Sequence, residues 1–319
     1  FYSTLPDGDE MQPVSGCANI RIVSRANQRI IMMNRGPSDE GFAVCPDCGA
    51  AMPGKDRSIF RIRGKEVGRP YRSQYAQTPC NHANTVNVNL GYDFVTDMLV
   101  LEFALDPHRI DTRRENNPWL YRATQSLAEA LRLAASKELD VEFTELVTGY
   151  RLRENASGFF ADIYLYDNLS SGAGYAVRVA KEIGKLLEKT RFLLEDCNCL
   201  SACHNCLKHY RNQFAHGVLD RFAALDLLRW GTGGSLAEDL LQEVQKSHIS
   251  PLTHILENSG CSMRQNAAGI FLSYERQEKE LVVYPAMWSE PMAPDKIYIS
   301  DGCLKYAKPY AVQKIINSF

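Results

Sequence analysis

Asp167-Asn168-Leu169-Ser170-Ser171-Gly172-Ala173-Gly174-Tyr175 opens the stretch that decides the fold, and the stretch ends at Trp230. A helical pattern follows the glycines and leads into Cys197-x-Cys199-x3-Cys203-x2-Cys206. A second amphipathic pattern begins near Leu219. Four thiols this close cannot pair as two unstrained disulfides, whereas one tetrahedral zinc ion binds four thiolates. We therefore predict a structural zinc site between two helices. An iron–sulfur cluster also takes four thiolates and stays open as the alternative.

The glycine-rich turn follows a strand-like run at residues 159–166 and precedes a helix. Such a corner can present backbone N–H groups to an anion. It is not a Walker A loop, because no Gly-Lys-Ser/Thr follows, and it lacks the three-glycine spacing of dinucleotide-binding loops. Two interpretations remain. The turn contacts a phosphate backbone or a neighbouring domain, or it is a tight corner where only glycine fits.

A second cysteine pair, Cys45-x2-Cys48, follows the strand-like run Phe42-Ala43-Val44. A tetrahedral site needs two more ligands, and Cys80 and His82 are the nearest candidates. We therefore predict a second structural zinc site, with Cys45, Cys48, Cys80 and His82 as its ligands. The alternative is a chance turn with two unpaired thiols.

A basic segment lies between the two halves of this second site. Residues 55–72 contain seven Lys and Arg against two acidic residues, and aromatic residues are interleaved with them. Cations that follow a phosphate backbone, with rings that stack on bases, are typical of single-strand binding. The predicted nucleic-acid contacts are Arg57, Arg61, Arg63, Lys65, Arg69 and Arg72. The competing interpretation is a solvated hairpin whose arginines simply face water.

Runs of strand-like residues surround one long helical pattern that opens at Pro118 and ends near Leu139. The order of these patterns predicts an α+β fold, with helices packed on a mixed or antiparallel sheet. We expect three parts: a β-rich zinc-knuckle region at 1–84, an α+β domain at 85–230 and a small α/β appendage at 231–319. A flexible joint at Gly231-Thr232-Gly233-Gly234-Ser235 is predicted between the last two parts.

Composition limits the function classes. The net charge of −2 gives no global attraction to nucleic acid, so any such contact must be local. No run of eighteen apolar residues is present, so no membrane span is expected. The sequence starts at Phe1, without an initiator Met and without the pattern of a signal peptide. We therefore expect a piece of a longer cytoplasmic chain, with its thiols reduced.

The motifs together resemble a known family. The glycine turn, the helix, the cysteine block and Leu219-Asp220-Arg221 resemble the C-terminal zinc-binding domain of mitomycin-repair-factor-type superfamily 2 helicases. The same domain occurs in helicase proteins of anti-phage systems such as DISARM and Druantia. The family's four thiols map onto Cys197, Cys199, Cys203 and Cys206. The family usually has glycine where this chain has Ser171.

The resemblance implies a non-motor part of an ATP-dependent DNA helicase or translocase that acts in anti-phage defence or DNA repair and helps to guide single-stranded DNA. No Gly-x4-Gly-Lys-Ser/Thr or Asp-Glu-x-His run occurs, so the chain alone is not expected to hydrolyse ATP. The motor would lie on the same polypeptide or on a partner subunit. Two alternatives remain: a protein–protein docking module without DNA contact, and a nuclease site in the tail, for which no complete motif is found.

Overall fold

The computed structural model describes residues 2–3, 10–36, 39–47, 49–54, 60–62, 65–67, 71–73, 76–79, 84, 86–113 and 118–319, with the backbone alone described for 2–3 and for those between 60 and 79. These residues belong to two compact units. The smaller unit comprises Phe1–Pro6 and Asn27–Thr96, and the larger comprises Asp7–Ala26 and Asp97–Phe319. The division into three parts at residues 84 and 230 stays a prediction.

The strands, numbered in chain order, are β1 Tyr2–Ser3, β2 Gln12–Pro13, β3 Ile20–Asn34, β4 Phe42–Val44, β5 Ala51–Pro53, β6 Phe60–Ile62, β7 Lys65–Val67, β8 Tyr71–Ser73, β9 Ala76–Pro79, β10 Val86–Val88, β11 Leu90–Leu105, β12 Leu146–Asn155, β13 Gly158–Asp167, β14 Ser262–Asn266, β15 Gly269–Tyr274, β16 Gln277–Tyr284 and β17 Lys296–Ser300.

The helices are α1 Trp119–Leu139, α2 Tyr175–Lys181, α3 Ile183–Glu195, α4 Arg221–Gly233, α5 Gln242–Ile249, α6 Thr253–Asn258, α7 Asp301–Tyr306 and α8 Lys308–Ile316. Short 3₁₀ helices lie at Phe143–Glu145, Tyr210–Ala215 and Ser250–Leu252. None of the helices in the described part of the chain has both the length and the apolar character needed to cross a membrane.

The described part of the smaller unit is β-rich. β4 pairs with β5 and with β10, both antiparallel. β6–β7 and β8–β9 are two separate antiparallel pairs. β1 pairs with Ile30 and Ile31 of β3.

In the larger unit a sheet has the order β3–β11–β13–β12, and β2 pairs with β3. β13 is antiparallel to both of its neighbours. Alternation along the strands places one row of apolar side chains on the face that packs against α1 and α4. The buried strand residues in this core include Leu99, Leu101, Phe103, Ala161, Ile163 and Leu165, and the buried residues of α1 include Ala123, Leu127, Ala130, Leu131 and Ala134.

The predicted flexible joint after residue 230 is wrong, because α4 continues through it to Gly233. A Cβ on Gly231 would lie 2.5 Å from Phe103 Cε1 and 2.8 Å from Ile20 Cδ1. Glycine at this position therefore lets α4 approach the sheet more closely than any other residue would. Gly234 caps the helix, and its φ of +67° is the left-handed conformation common at helix C-termini.

The C-terminal residues of the larger unit form a second sheet with its own core. β14, β15 and β16 are antiparallel, and β17 is parallel to β16. Buried residues of α5 to α8 cover this sheet, and they include Ile249, Leu256, Leu304 and Ile315. Helices on antiparallel and mixed sheets confirm the predicted α+β class.

Candidate metal centre

The four cysteines of the central stretch come together after the end of α3. Sulfur–sulfur distances are 3.5 Å between Cys197 and Cys203, 3.7 Å between Cys199 and Cys206, and 3.8 Å between Cys203 and Cys206. All four Sγ atoms lie within 4.8 Å of one another. In the part of the chain that the structure describes, no other group of three or more Cys, His, Asp or Glu side chains is close enough to share a metal.

The backbone of residues 203–208 folds tightly around the last two thiols. The carbonyl oxygen of Cys203 accepts from the N–H groups of Cys206, Leu207 and Lys208 at 3.2, 3.1 and 2.9 Å. The N–H of Cys203 donates to Cys206 Sγ at 3.3 Å. An N–H directed at sulfur stabilises a thiolate, so this turn is built for anionic sulfur.

The donor set fits one tetrahedral zinc ion. A Zn–S bond of about 2.3 Å places the sulfurs of a tetrahedron about 3.8 Å apart, close to the separations found here. A disulfide would require about 2.05 Å. A cluster of several irons places more atoms between its thiolates and spreads them farther apart, so these separations favour a single ion.

The electrostatics of the cysteines point the same way. Burial raises the pKa of the Cys206 thiol to about 12. The backbone N–H of Asn205 and the neighbouring Cys197 lower the pKa of Cys203 to about 7. A buried thiolate at Cys206 therefore needs a cation beside it, which a bound metal supplies.

Arg221, the first residue of α4, donates hydrogen bonds to the cysteine loop. Its Nε donates to the carbonyl oxygen of Cys199 at 3.0 Å, and one terminal nitrogen donates to that of Leu194 at 2.8 Å. Its backbone N–H donates to Ser201 O at 2.8 Å. The guanidinium thus satisfies carbonyls at the end of α3 and inside the loop, groups that a helix terminus leaves without internal partners.

Asp220 links the start of α4 to α1 and α7. Its Oδ1 accepts from the N–H of Phe222 at 3.0 Å and so caps α4. Its Oδ2 accepts from the hydroxyl of Tyr306 at 2.8 Å, and its backbone N–H donates to Ser126 Oγ at 2.7 Å. The guanidinium of Arg122 lies 3.5 Å from the Tyr306 ring centroid. Three elements therefore meet at one capping residue.

The backbone N–H groups of the glycine-rich turn donate to two carboxylates of the protein itself. Asp167 is fully buried, and Asp97 lies across from it on β11. Four successive backbone N–H groups donate to these two carboxylates at 2.7 to 3.0 Å, namely those of Ala173, Gly174, Tyr175 and Ala176. A Cβ on Gly172 would lie 2.4 Å from the Asp97 carboxylate. These contacts favour the tight-corner interpretation over a phosphate site.

The structure describes only some of the remaining predicted site residues. Cys45 is buried in a turn where its carbonyl accepts from the N–H of Gly49 at 2.9 Å. Cys48, Cys80 and His82 lie outside the described residues, so the second zinc site stays a prediction. Among the predicted nucleic-acid contacts, the backbone is described for Arg61, Lys65 and Arg72, which lie on β6, β7 and β8. Arg57, Arg63 and Arg69 lie outside the described residues.

Sequence reasoning missed the groups that support the cysteine loop. Asn212 is buried and donates to Glu129 Oε2 at 3.1 Å and to Leu207 O at 2.9 Å. Burial raises the pKa of Glu129. Only Asp220, with the amphipathic run after it, carries a local signal, since Asp is a common helix N-cap.

Comparisons with known proteins agree with this centre. Residues 127–207 match the model of the MrfA Zn-binding domain. The Druantia protein DruE of Escherichia coli (strain UMEA 4076-1) is 32% identical over 322 aligned residues, which cover 94% of this chain and 17% of DruE. The chain thus spans about a sixth of the length of this relative.

Two solved structures of the DUF1998 helicase MrfA, one bound to DNA and one to DNA and AMPPNP, are each 15% identical to the chain. The first covers 71% of this chain and 24% of its own, with a TM-score of 0.41. The second covers 65% and 22%, with a TM-score of 0.32. The family match and the four-cysteine cluster both support zinc. The match of residues 127–207 to the MrfA Zn-binding domain confirms the resemblance predicted from the sequence.

Proposed function

We propose that this chain is the non-motor, zinc-binding part of an ATP-dependent DNA helicase or translocase that acts in anti-phage defence or DNA repair in the cytoplasm. The observation that carries the proposal is a four-cysteine cluster inside a region that matches the MrfA Zn-binding domain. The similarity to DruE over nearly the whole chain supports the defence context. The motor would be supplied by the same polypeptide or by a partner subunit.

Zinc has a structural role in this proposal. Cys197, Cys199, Cys203 and Cys206 would hold one ion, whose charge keeps four thiolates together between α3 and α4. Four protein ligands leave no open position for water or substrate, so the site serves as a scaffold. A second ion at Cys45, Cys48, Cys80 and His82 would do the same for the smaller unit.

The chain would help to bind and guide single-stranded DNA through the basic segment at 55–72. Its local excess of five positive charges supports this role in a chain whose net charge is −2. The test is anisotropy of a labelled single-stranded oligonucleotide over a range of salt concentrations. Replacement of Arg57, Arg61 and Arg63 by Ala should weaken binding and reduce the salt slope by up to about 2, at about 0.7 for each phosphate that the variant no longer neutralises.

A matched control replaces three cations outside this segment: Arg264, Lys296 and Lys305 are each paired with a carboxylate in the C-terminal region. Their replacement by Ala should leave the salt slope unchanged. No binding by the wild-type chain at low salt would contradict the DNA role.

A second candidate function is protein docking without DNA contact. An open groove of about 1020 Å³ runs beside the cysteines, between α1 and α3. The groove is lined by the apolar side chains of Leu193 and the exposed Phe192. Basic side chains also line it, namely those of Lys137, Lys185 and Lys189. Co-purification of a helicase subunit that is lost in Phe192→Ala, together with no DNA binding, would favour docking.

A further inference from the structure

The 3₁₀ helix that follows the cysteine loop displays two large rings to solvent. Tyr210 is 77% exposed and Phe214 is 83% exposed. Both belong to Tyr210–Ala215, which begins four residues after the last cysteine. The two rings therefore offer apolar faces to solvent on one short element.

The backbone under these rings is held rigidly. Asn212, between them, is fully buried, and its Oδ1 accepts from the N–H of His209 at 2.7 Å. His209 in turn accepts at Nδ1 from the N–H of Arg211 at 3.2 Å, which completes a capping box. The His209 ring packs against Phe143 with centroids 4.1 Å apart. The backbone that carries the two rings is therefore held in place, so a ligand that binds them would order little additional backbone.

Apart from the four metal-binding thiols, the ionisable residues next to the rings along the chain are all basic. Residues 197–219 contain no Asp or Glu, whereas they contain Lys208, Arg211 and three histidines. Arg211 is exposed and Lys208 is half-buried. The nearby Glu129 is buried against Asn212 and Arg132, so its charge is turned inward. Exposed rings among cations without acids suit an anionic partner that also offers flat apolar faces.

Single-stranded nucleic acid has both properties. Its bases present faces for stacking, which a duplex keeps inside, and its phosphates carry the negative charge. We propose that Tyr210 and Phe214 stack on the bases of single-stranded DNA while Lys208 and Arg211 contact its phosphates. This inference rests on the proposed DNA role and assigns it to a surface outside the basic segment at 55–72.

The test is binding of a fluorescent oligo-dT to the 319-residue chain over a range of salt concentrations. Tyr210→Ala and Phe214→Ala should each weaken binding about fivefold or more, as expected when a base can no longer stack, with the salt slope unchanged. Tyr210→Phe keeps the ring and should bind as the wild type does. Lys208→Ala with Arg211→Ala should reduce the salt slope by about 1.4, for two phosphates.

The controls are Leu241→Ala and Met292→Ala, which remove apolar side chains that are 75% and 97% exposed in the C-terminal region. Both should bind as the wild type does. Zinc content and thermal midpoint confirm that each variant is folded.

Unchanged binding by folded Tyr210→Ala and Phe214→Ala would overturn the inference, even if the Arg57, Arg61 and Arg63 variants weaken binding and so uphold the proposed function. No binding by the wild-type chain would remove both. A polyglutamate peptide that competes as well as unlabelled oligo-dT would also overturn it, because such a peptide has charge but no bases to stack.

Discussion

Arg221 Nε donates to the carbonyl oxygen of Cys199 over 3.0 Å, which joins the first residue of α4 to the cysteine loop. The same guanidinium reaches Leu194 O at the end of α3. Because the Arg221 side chain is buried, these bonds face little competition from water. Arg221 therefore positions the cysteines although it is no metal ligand.

We predict that Arg221→Ala lowers zinc affinity by about 10- to 100-fold, as loss of groups that orient metal ligands commonly does. It should also lower the free energy of unfolding by about 2–3 kcal/mol, because two carbonyls lose their donor. Competition with a chromogenic chelator and urea denaturation measure the two effects. Arg229→Ala is the control, since Arg229 lies on the same helix with an exposed pair to Glu195. Equal chelator competition by wild type and Arg221→Ala would contradict this role.

Ser171 occupies a position that suits glycine. Its φ of +77° lies in the left-handed region, which costs a residue with a Cβ about 1–2 kcal/mol. We predict that Ser171→Gly raises the free energy of unfolding by about 0.5–1 kcal/mol, the net after the added freedom of the unfolded chain. Urea denaturation measures it. Ser170→Gly, next to it but without positive φ, should give no gain. A destabilised Ser171→Gly would show that the serine side chain contributes more than its backbone strain costs.

Asp226 should make stability depend on pH. Burial, with help from Asp301 and Asp220, raises its pKa from 3.8 to about 7. Between these two values the native state retains a proton that the unfolded chain releases, so the free energy of unfolding falls as pH rises from about 4 to 7. Asp226→Asn removes this dependence. We predict that the variant is more stable than wild type by about 4 kcal/mol at pH 8, and that the difference falls to near zero at pH 4.

Urea denaturation at the two pH values checks this prediction. Asp239→Asn, an exposed change in the same region, should follow the wild type at both. A difference between Asp226→Asn and wild type that is the same at pH 4 and pH 8 would assign the effect to packing instead of ionisation.

Elements with a clear local pattern were predictable from the sequence. The helix expected from Pro118 to Leu139 is α1, Trp119–Leu139. The helical pattern expected between the glycine turn and Cys197 is instead two helices, α2 and α3, which meet at Glu182 with a φ of −115°. The glycines near residue 231 indicated a joint, yet Gly231 is helical because Phe103 and Ile20 need its missing side chain. Packing between distant residues decided that case, and no local pattern records it.

The candidate site was also only partly predictable from the sequence. Its four thiols are close in sequence, so their spacing alone predicted a shared metal. Their supports come from far along the chain: Arg221 is 22 residues beyond Cys199, and Asn212 is 83 residues beyond Glu129. Such pairs meet only once the sheet and helices have assembled. The glycine turn was ambiguous for the same reason, since Asp97 reaches Gly174 from a strand 77 residues earlier.

The central claim is that Cys197, Cys199, Cys203 and Cys206 hold one zinc ion. Elemental analysis by mass spectrometry of the purified chain and of a Cys203→Ser, Cys206→Ser variant tests it most directly. We predict that the variant contains one zinc per chain fewer than the wild type. Zinc content that is equal in both, or iron with acid-labile sulfide in the wild type, would contradict the claim.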